Sequence, residues 1–158
     1  GIIAIHRVEN LHKSSRLDAF MDLLVAAAVS GPTRFLVHPP TERVFRSSDR
    51  WDDVLASGPS IEPLLPHGEF MTACASARWV VTDGGSIQEE CAAIGVPTLL
   101  WRGRTERPDG VGENVVLSNY DADVVGEFLA EPERYRRPPF VQPESPAGVV
   151  ADDLTRRA

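Results

Sequence analysis

Apolar residues fall along this chain in short unbroken runs, separated by longer stretches with helical spacing. The runs are Ile2-Ile3-Ala4-Ile5, Phe35-Leu36-Val37, Trp79-Val80-Val81, Thr98-Leu99-Leu100-Trp101 and Val115-Val116-Leu117. They lack the polar alternation of a strand with one wet face, so they predict strands covered on both sides. Between the first two, Ser15 to Val29 places Leu17, Phe20, Met21, Leu24, Val25 and Ala28 on one stripe of a helix, with Ser14 or Ser15 as its cap. Thr41 to Ala56 reads as a second helix, its pattern interrupted by the polar Arg46 to Asp49. Glu69 to Ala77 and Ser86 to Ile94 read as two more, the latter ended by Gly95-Val96-Pro97. Asp121 caps a short helix to Leu129. Pro138, Pro139, Pro143 and Pro146 mark a loop or wrapping segment before a last helix from Val149. Strands alternating with helices demand crossovers between parallel neighbours, so the expected fold is α/β, a Rossmann-like three-layer α/β/α sandwich.

A length of 158 residues, 42% apolar and 25% charged, fits one soluble globular domain and argues against a disordered tail or a disulfide scaffold. With 16 basic and 23 acidic side chains the formal charge is -7, which disfavours nucleic acid and anionic membranes as partners. Phosphate binding must then be local, built from a few Arg, His and backbone N–H groups. Cys74 and Cys91 lie in apolar-periodic stretches without a metal-ligand spacing, so two reduced core thiols in a cytoplasmic protein are expected, with no metal and no cofactor. No apolar run approaches a membrane span or a signal peptide. A Gly in first place, just ahead of a buried-looking strand, leads us to expect a piece of something longer.

In open parallel sheets ligands bind beyond the carboxyl ends of the strands, and four such places carry chemistry here. His6-Arg7-Val8-Glu9-Asn10 sends an imidazole and a guanidinium off the first strand, either to neutralise a diphosphate or as a surface pair. Asp83-Gly84-Gly85-Ser86 joins a strand to a helix with two glycines that let a phosphate approach the helix start. Glu90 shares a face with Ser86, where it suits ribose hydroxyls; alternatively Glu89 and Glu90 only complement the helix dipole. Arg102 to Asp109 holds three arginines in an acidic chain, a phosphate-handling loop or a solvated one. The last place is His38, stiffened by Pro39 and Pro40.

Taken in order, H-R-x-E-N at His6 to Asn10, V-H-P at Val37 to Pro39, T-D-x-G-x-I-Q-E-E at Thr82 to Glu90, G-x-P at Gly95 to Pro97 and T-E-R-P at Thr105 to Pro108 resemble the C-terminal domain of the non-hydrolysing UDP-N-acetylglucosamine 2-epimerases. The resemblance covers nearly the whole chain. It implies one half of a GT-B type two-domain fold and an isomerase of cell-surface polysaccharide biosynthesis that interconverts UDP-GlcNAc and UDP-ManNAc by elimination and re-addition of UDP. Its implied partners are UDP and UDP-N-acetyl sugars, the missing N-terminal domain of the same protein, and a second copy in a full-length homodimer.

Carried over residue by residue, the resemblance makes His6 the catalytic histidine and Arg7 the phosphate-side arginine beside it. Phe70 becomes the aromatic against uracil, Gly84, Gly85 and Ser86 the turn around the β-phosphate, and Glu90 the ribose-holding carboxylate. Arg107 and Glu106 stand near the sugar diphosphate, Glu9 supports the first loop, and His38 falls near an allosteric UDP-sugar site of some bacterial members. The family usually has Ser-Gly-Gly where this chain has Gly84-Gly85-Ser86, and its late Gly-rich loop is replaced by Pro143 to Gly148. The family's acid and base carboxylates lie in the N-terminal domain, so residues 1–158 are expected to bind UDP without turning over. A UDP-binding half of a diverged UDP-sugar hydrolase or glycosyltransferase-like protein, or a non-catalytic nucleotide-sugar module, are the other readings of the same residues.

Overall fold

A computed structural model of the chain describes residues 1–5, 14–140 and 146–156. Among the described residues six strands form one sheet: β1 (Ile2–Ala4), β2 (Arg34–Val37), β3 (Ser60–Pro63), β4 (Val80–Thr82), β5 (Thr98–Leu100) and β6 (Val115–Leu117). Every neighbouring pair is parallel and the order is β3-β2-β1-β4-β5-β6, so the chain reverses direction across the sheet between β1 and β4. The helices are α1 (Ser14–Ser30), α2 (Pro39–Arg46), α3 (Trp51–Ser57), α4 (His67–Ser76), α5 (Gly85–Ile94), α6 (Ala122–Ala130) and α7 (Pro146–Arg156).

Strand periodicity divides the core into two layers. Ile3, Ile5, Phe35, Val37, Val81 and Leu99 face one side with Phe20, Phe45, Trp51 and Phe128, while Ile2, Ala4, Leu36 and Val80 face the other with Phe70, Cys74 and Cys91. α1 packs against α3 and α6 on the first side, and α4 packs against α5 on the second. Phe20 sits at the centre of the first layer, its ring 5.7 Å from Phe35, 5.3 Å from Phe45 and 5.9 Å from Trp101. Burying such a ring contributes about 1.5–3 kcal/mol, and each well-placed aromatic pair about 0.5–1.5 kcal/mol more.

The sandwich and its five expected strands are present, but the last helix, expected from Val149, already includes Pro146, and three further differences concern β3, the 41–56 stretch and α1. A sixth strand, β3, lies at the sheet edge, where it is half-exposed and where Pro63 needs no ladder donor on its open side. The expected helix over 41–56 is two helices, because the chain turns at Ser48 to Arg50 and Phe45 and Trp51 must both reach the core. Ser14 and Ser15 lie inside the first turn of α1 rather than ahead of it. Asp121 caps α6 as read, its Oδ1 accepting from the N–H of Asp123 at 2.8 Å.

The segment after α6 does wrap. The N–H of Arg137 donates to the Gly95 carbonyl at 3.0 Å and that of Phe140 to the Ala93 carbonyl at 2.7 Å, so residues 137–140 cross the rear end of α5. Gly95 ends α5 in the left-handed region at φ +72, and a Cβ there would collide with the Arg137 carbonyl. Cys74 and Cys91 are free and buried. The hydrogen bond with Cys74 and burial push the Cys91 thiol up, which fits an inert core pair. Among the described residues, no helix is long and apolar enough to cross a membrane.

Candidate functional site

The reversal between β1 and β4 opens a crevice at the carboxyl ends of the strands, the usual place for a ligand in such a sheet. A cleft of about 840 Å³ occupies it. Ala4 and Ile5 at the end of β1 line it, with His38, Pro40, Thr41 and Val44 from the segment after β2, Leu64, Leu65, His67 and Phe70 from that after β3, and Ser86, Ile87 and Glu90 from α5. The lining is largely apolar with a few polar groups, the composition of a small-molecule site.

Ser86 and Glu90 of the lining belong to α5. Gly84 caps the helix with extended backbone, its N–H donating to Thr82 Oγ1 at 3.1 Å. Helix geometry leaves the N–H groups of Gly85, Ser86 and Ile87 without intrahelical acceptors, and the helix dipole adds partial positive charge there. The missing side chain of Gly85 admits Arg107, whose Nε lies 2.5 Å from where a Cβ would stand. Arg107 also pairs with Glu89 and stands 3.8 Å from a Glu106 carboxylate oxygen. A guanidinium and a helix N-terminus are thereby held side by side.

Glu90, one turn into α5, meets a partner that the sequence reading missed. His67 Nε2 lies 2.7 Å from its Oε1. Because a carboxylate only accepts, this nitrogen carries the proton and donates it. Gln88 was passed over as well. It is fully buried, donates from Nε2 to the carbonyls of Arg107 at 3.0 Å and Asp109 at 3.1 Å, and accepts from Thr105 Oγ1 at 2.9 Å. The visible signal for both was a polar residue inside an otherwise interpretable motif: L-P-H-G-E-F for His67 and I-Q-E-E for Gln88.

The structure brings Phe70, Ser86, Glu90 and His38 into one cleft; Gly84, Gly85 and Arg107 do not line it, although Arg107 packs on Gly85, next in sequence to Ser86. His6, Arg7 and Glu9 lie outside the described residues. The arginine-rich loop divides its side chains: Arg102, Arg104 and Glu106 line a second, polar hollow of about 820 Å³ with Arg16 and Tyr120, while Arg107 turns to α5. Arg102 is 7% exposed and donates from Nη2 to Glu106 at 3.1 Å. The backbone N–H of Glu106 and then the Arg102 charge hold the Glu106 carboxyl below the usual carboxylate range. Among the described residues no group of three His, Cys, Asp or Glu gathers to hold a metal ion.

Comparison with known proteins places the chain in a family. The structure of UDP-GlcNAc 2-epimerase from Methanocaldococcus jannaschii overlays 98% of this chain on 45% of its own, with a TM-score of 0.79 and 24% identity. The Neisseria meningitidis UDP-GlcNAc 2-epimerase bound to UDP-GlcNAc overlays 98% on 44% at a TM-score of 0.68 and 21% identity. A crystal structure of the M. jannaschii protein in complex with UDP-GlcNAc and UDP matches at a TM-score of 0.75 and 24% identity. At these identities the overlays establish the fold. In sequence, the M. jannaschii UDP-N-acetylglucosamine 2-epimerase is 26% identical over 157 residues, and that of Bacillus subtilis 33% over 82 residues, or 49% of this chain and 21% of the relative. The former alignment takes in 94% of this chain and 43% of the relative, so the chain spans less than half the length of that protein. The family model described as UDP-N-acetylglucosamine 2-epimerase matches residues 1–138, and the chain belongs to that family.

Proposed function

We propose that this chain is the UDP-binding half of an enzyme that interconverts UDP-GlcNAc and UDP-ManNAc. The observation that carries the reading is that Phe70, Ser86 and Glu90 line one cleft, while Arg107 packs on Gly85 beside Ser86 at the start of α5. An aromatic ring, a carboxylate and a helix start with a guanidinium suit the base, ribose and diphosphate of UDP. The base lies against Phe70 and the apolar walls, the ribose hydroxyls donate to Glu90, and the diphosphate accepts from the α5 N–H groups and Arg107.

The reaction asks this half to stabilise a leaving group. Removal of the C2 proton and cleavage of the C1–oxygen bond release UDP with the bonding electron pair and leave an unsaturated sugar. Re-addition of UDP, with a proton delivered to the opposite face of C2, gives the epimer. Fixed dipoles and a guanidinium aimed at the diphosphate favour the state in which its negative charge has grown. His6 is the residue of this half that the family resemblance assigns to the chemistry, and the acid and base come from the remainder of the protein.

Two measurements test this. The full-length enzyme in deuterium oxide should place deuterium at C2 while forming UDP-ManNAc from UDP-GlcNAc. Residues 1–158 alone should bind UDP and leave the C2 proton in place. Exchange by the chain alone, abolished by His6→Ala, would assign a working base to this half and overturn the division of labour.

A further inference from the structure

The Glu90 carboxylate meets an imidazole from the neighbouring helix. His67 is the first residue of α4, and Phe70 follows it on the same helix, so one helix supplies both an aromatic wall of the cleft and this imidazole. α4 packs on α5, which brings His67 Nε2 to 2.7 Å from Glu90 Oε1 across 23 residues of sequence. Among the described residues no arginine pairs with Glu90. We propose that His67 is a positioning residue that fixes Glu90 for the two ribose hydroxyls, so that selection of a ribonucleotide belongs to the His67–Glu90 pair rather than to Glu90 alone.

The geometry favours this role over a plain surface ion pair. A glutamate has three rotatable side-chain bonds, and ordering it only when the nucleotide arrives weakens binding. With one donor already on Oε1, the remaining lone pair of Oε1 and both of Oε2 are left for two neighbouring hydroxyls. The His67 side chain is 73% exposed and Glu90 34%, so each is open to the cleft and neither supports the core.

The inference rests on the reading of Glu90 as the ribose-holding carboxylate, and the experiment separates the two. UDP and 2′,3′-dideoxy-UDP are titrated against the unaltered chain, His67→Ala, His67→Gln, Glu90→Ala and the double variant His67→Ala/Glu90→Ala. The expected result is a roughly three- to tenfold loss of UDP affinity in His67→Ala, the size of one side chain's ordering. Dideoxy-UDP should bind that variant as before, His67→Gln should recover part of the UDP loss, and His67→Ala should cost nothing further once Glu90 is alanine. Equal losses for both ligands in His67→Ala, or none, overturn the positioning role while a ribose-specific loss in Glu90→Ala keeps the reading of that residue. If Glu90→Ala itself weakens both ligands equally, the reading of Glu90 fails and the role of His67 falls with it.

Discussion

Buried Gln88 donates a hydrogen bond to the backbone carbonyl of Arg107 at 3.0 Å, and so ties the loop that carries the arginine to α5. The same side chain holds Asp109 and Thr105, giving it three bonds into one loop. Gln88→Leu fills similar volume but leaves two carbonyls without their donor. We expect a loss of about 1–3 kcal/mol in stability, read by urea unfolding. UDP affinity should fall as well, because Arg107 would no longer be anchored. Unchanged unfolding would mean that the loop finds other donors.

Gly85→Ala tests the arginine from the other side. A methyl group there meets Arg107 Nε at 2.5 Å, and the far end of a flexible side chain gives way more readily than backbone. Stability should therefore stay within about 0.5 kcal/mol of the parent while UDP binds several-fold more weakly. In an Arg107→Ala background the same change should cost nothing, since nothing is left to displace. Calorimetric titration of the four proteins gives the coupling directly.

How much of this was legible beforehand depends on whether the cause was local. The turn at Gly84-Gly85 was readable because a strand, two glycines and a helical pattern follow one another in sequence, and the end of α5 because Gly95 precedes Pro97. β3 was not, because an edge strand is half-solvated and Ser60-Ile61-Glu62-Pro63 has neither a long apolar run nor a clean alternation. The division of the 41–56 stretch into two helices depends on both Phe45 and Trp51 turning into one core, a tertiary demand invisible to a periodicity count. His67 and Gln88 were missed for the same reason: the partners that give them meaning lie 17 to 23 residues away.

Phe20→Ala should be the most damaging of these substitutions to the fold. Phe20 is fully buried, with three aromatic rings within 5.9 Å, and the removed ring leaves a cavity that those neighbours can only partly close. The expected cost is about 3–5 kcal/mol, measured as a shift of the urea midpoint at constant slope. Survival with a loss below about 1 kcal/mol would show that the layer repacks.

The sheet edge provides a pH test. Arg34 hydrogen-bonds Glu62 across β2 and β3, its Nη2 2.6 Å from Oε2, and holds the Glu62 carboxyl below its ordinary value of 4.5. A lowered value in the folded state means that the contribution is fully present above pH 4.5 and is lost as pH falls through the folded-state value. Glu62→Gln should accordingly be less stable than the parent near neutrality, by about 0.2–1 kcal/mol for so exposed a pair. The two proteins should converge as the pH is taken well below 4.5. A gap that stays constant with pH would assign the difference to packing.

The strap at residues 137–140 makes α5 a lever pinned at its rear. Ten residues at about 1.5 Å each separate the Gly95 anchor from the start of α5 by roughly 15 Å. A helix of that length moves as a rod, so a small swing at the pinned end reappears at the N–H groups and at Glu90 together. Gly95→Ala, which forces the strap away from the helix, should therefore loosen base, ribose and phosphate contacts in common, whereas substitutions at the front end discriminate between them. On the proposed reading of the cleft, a residue that touches no part of the nucleotide thus sets how accurately the whole helix is aimed at it.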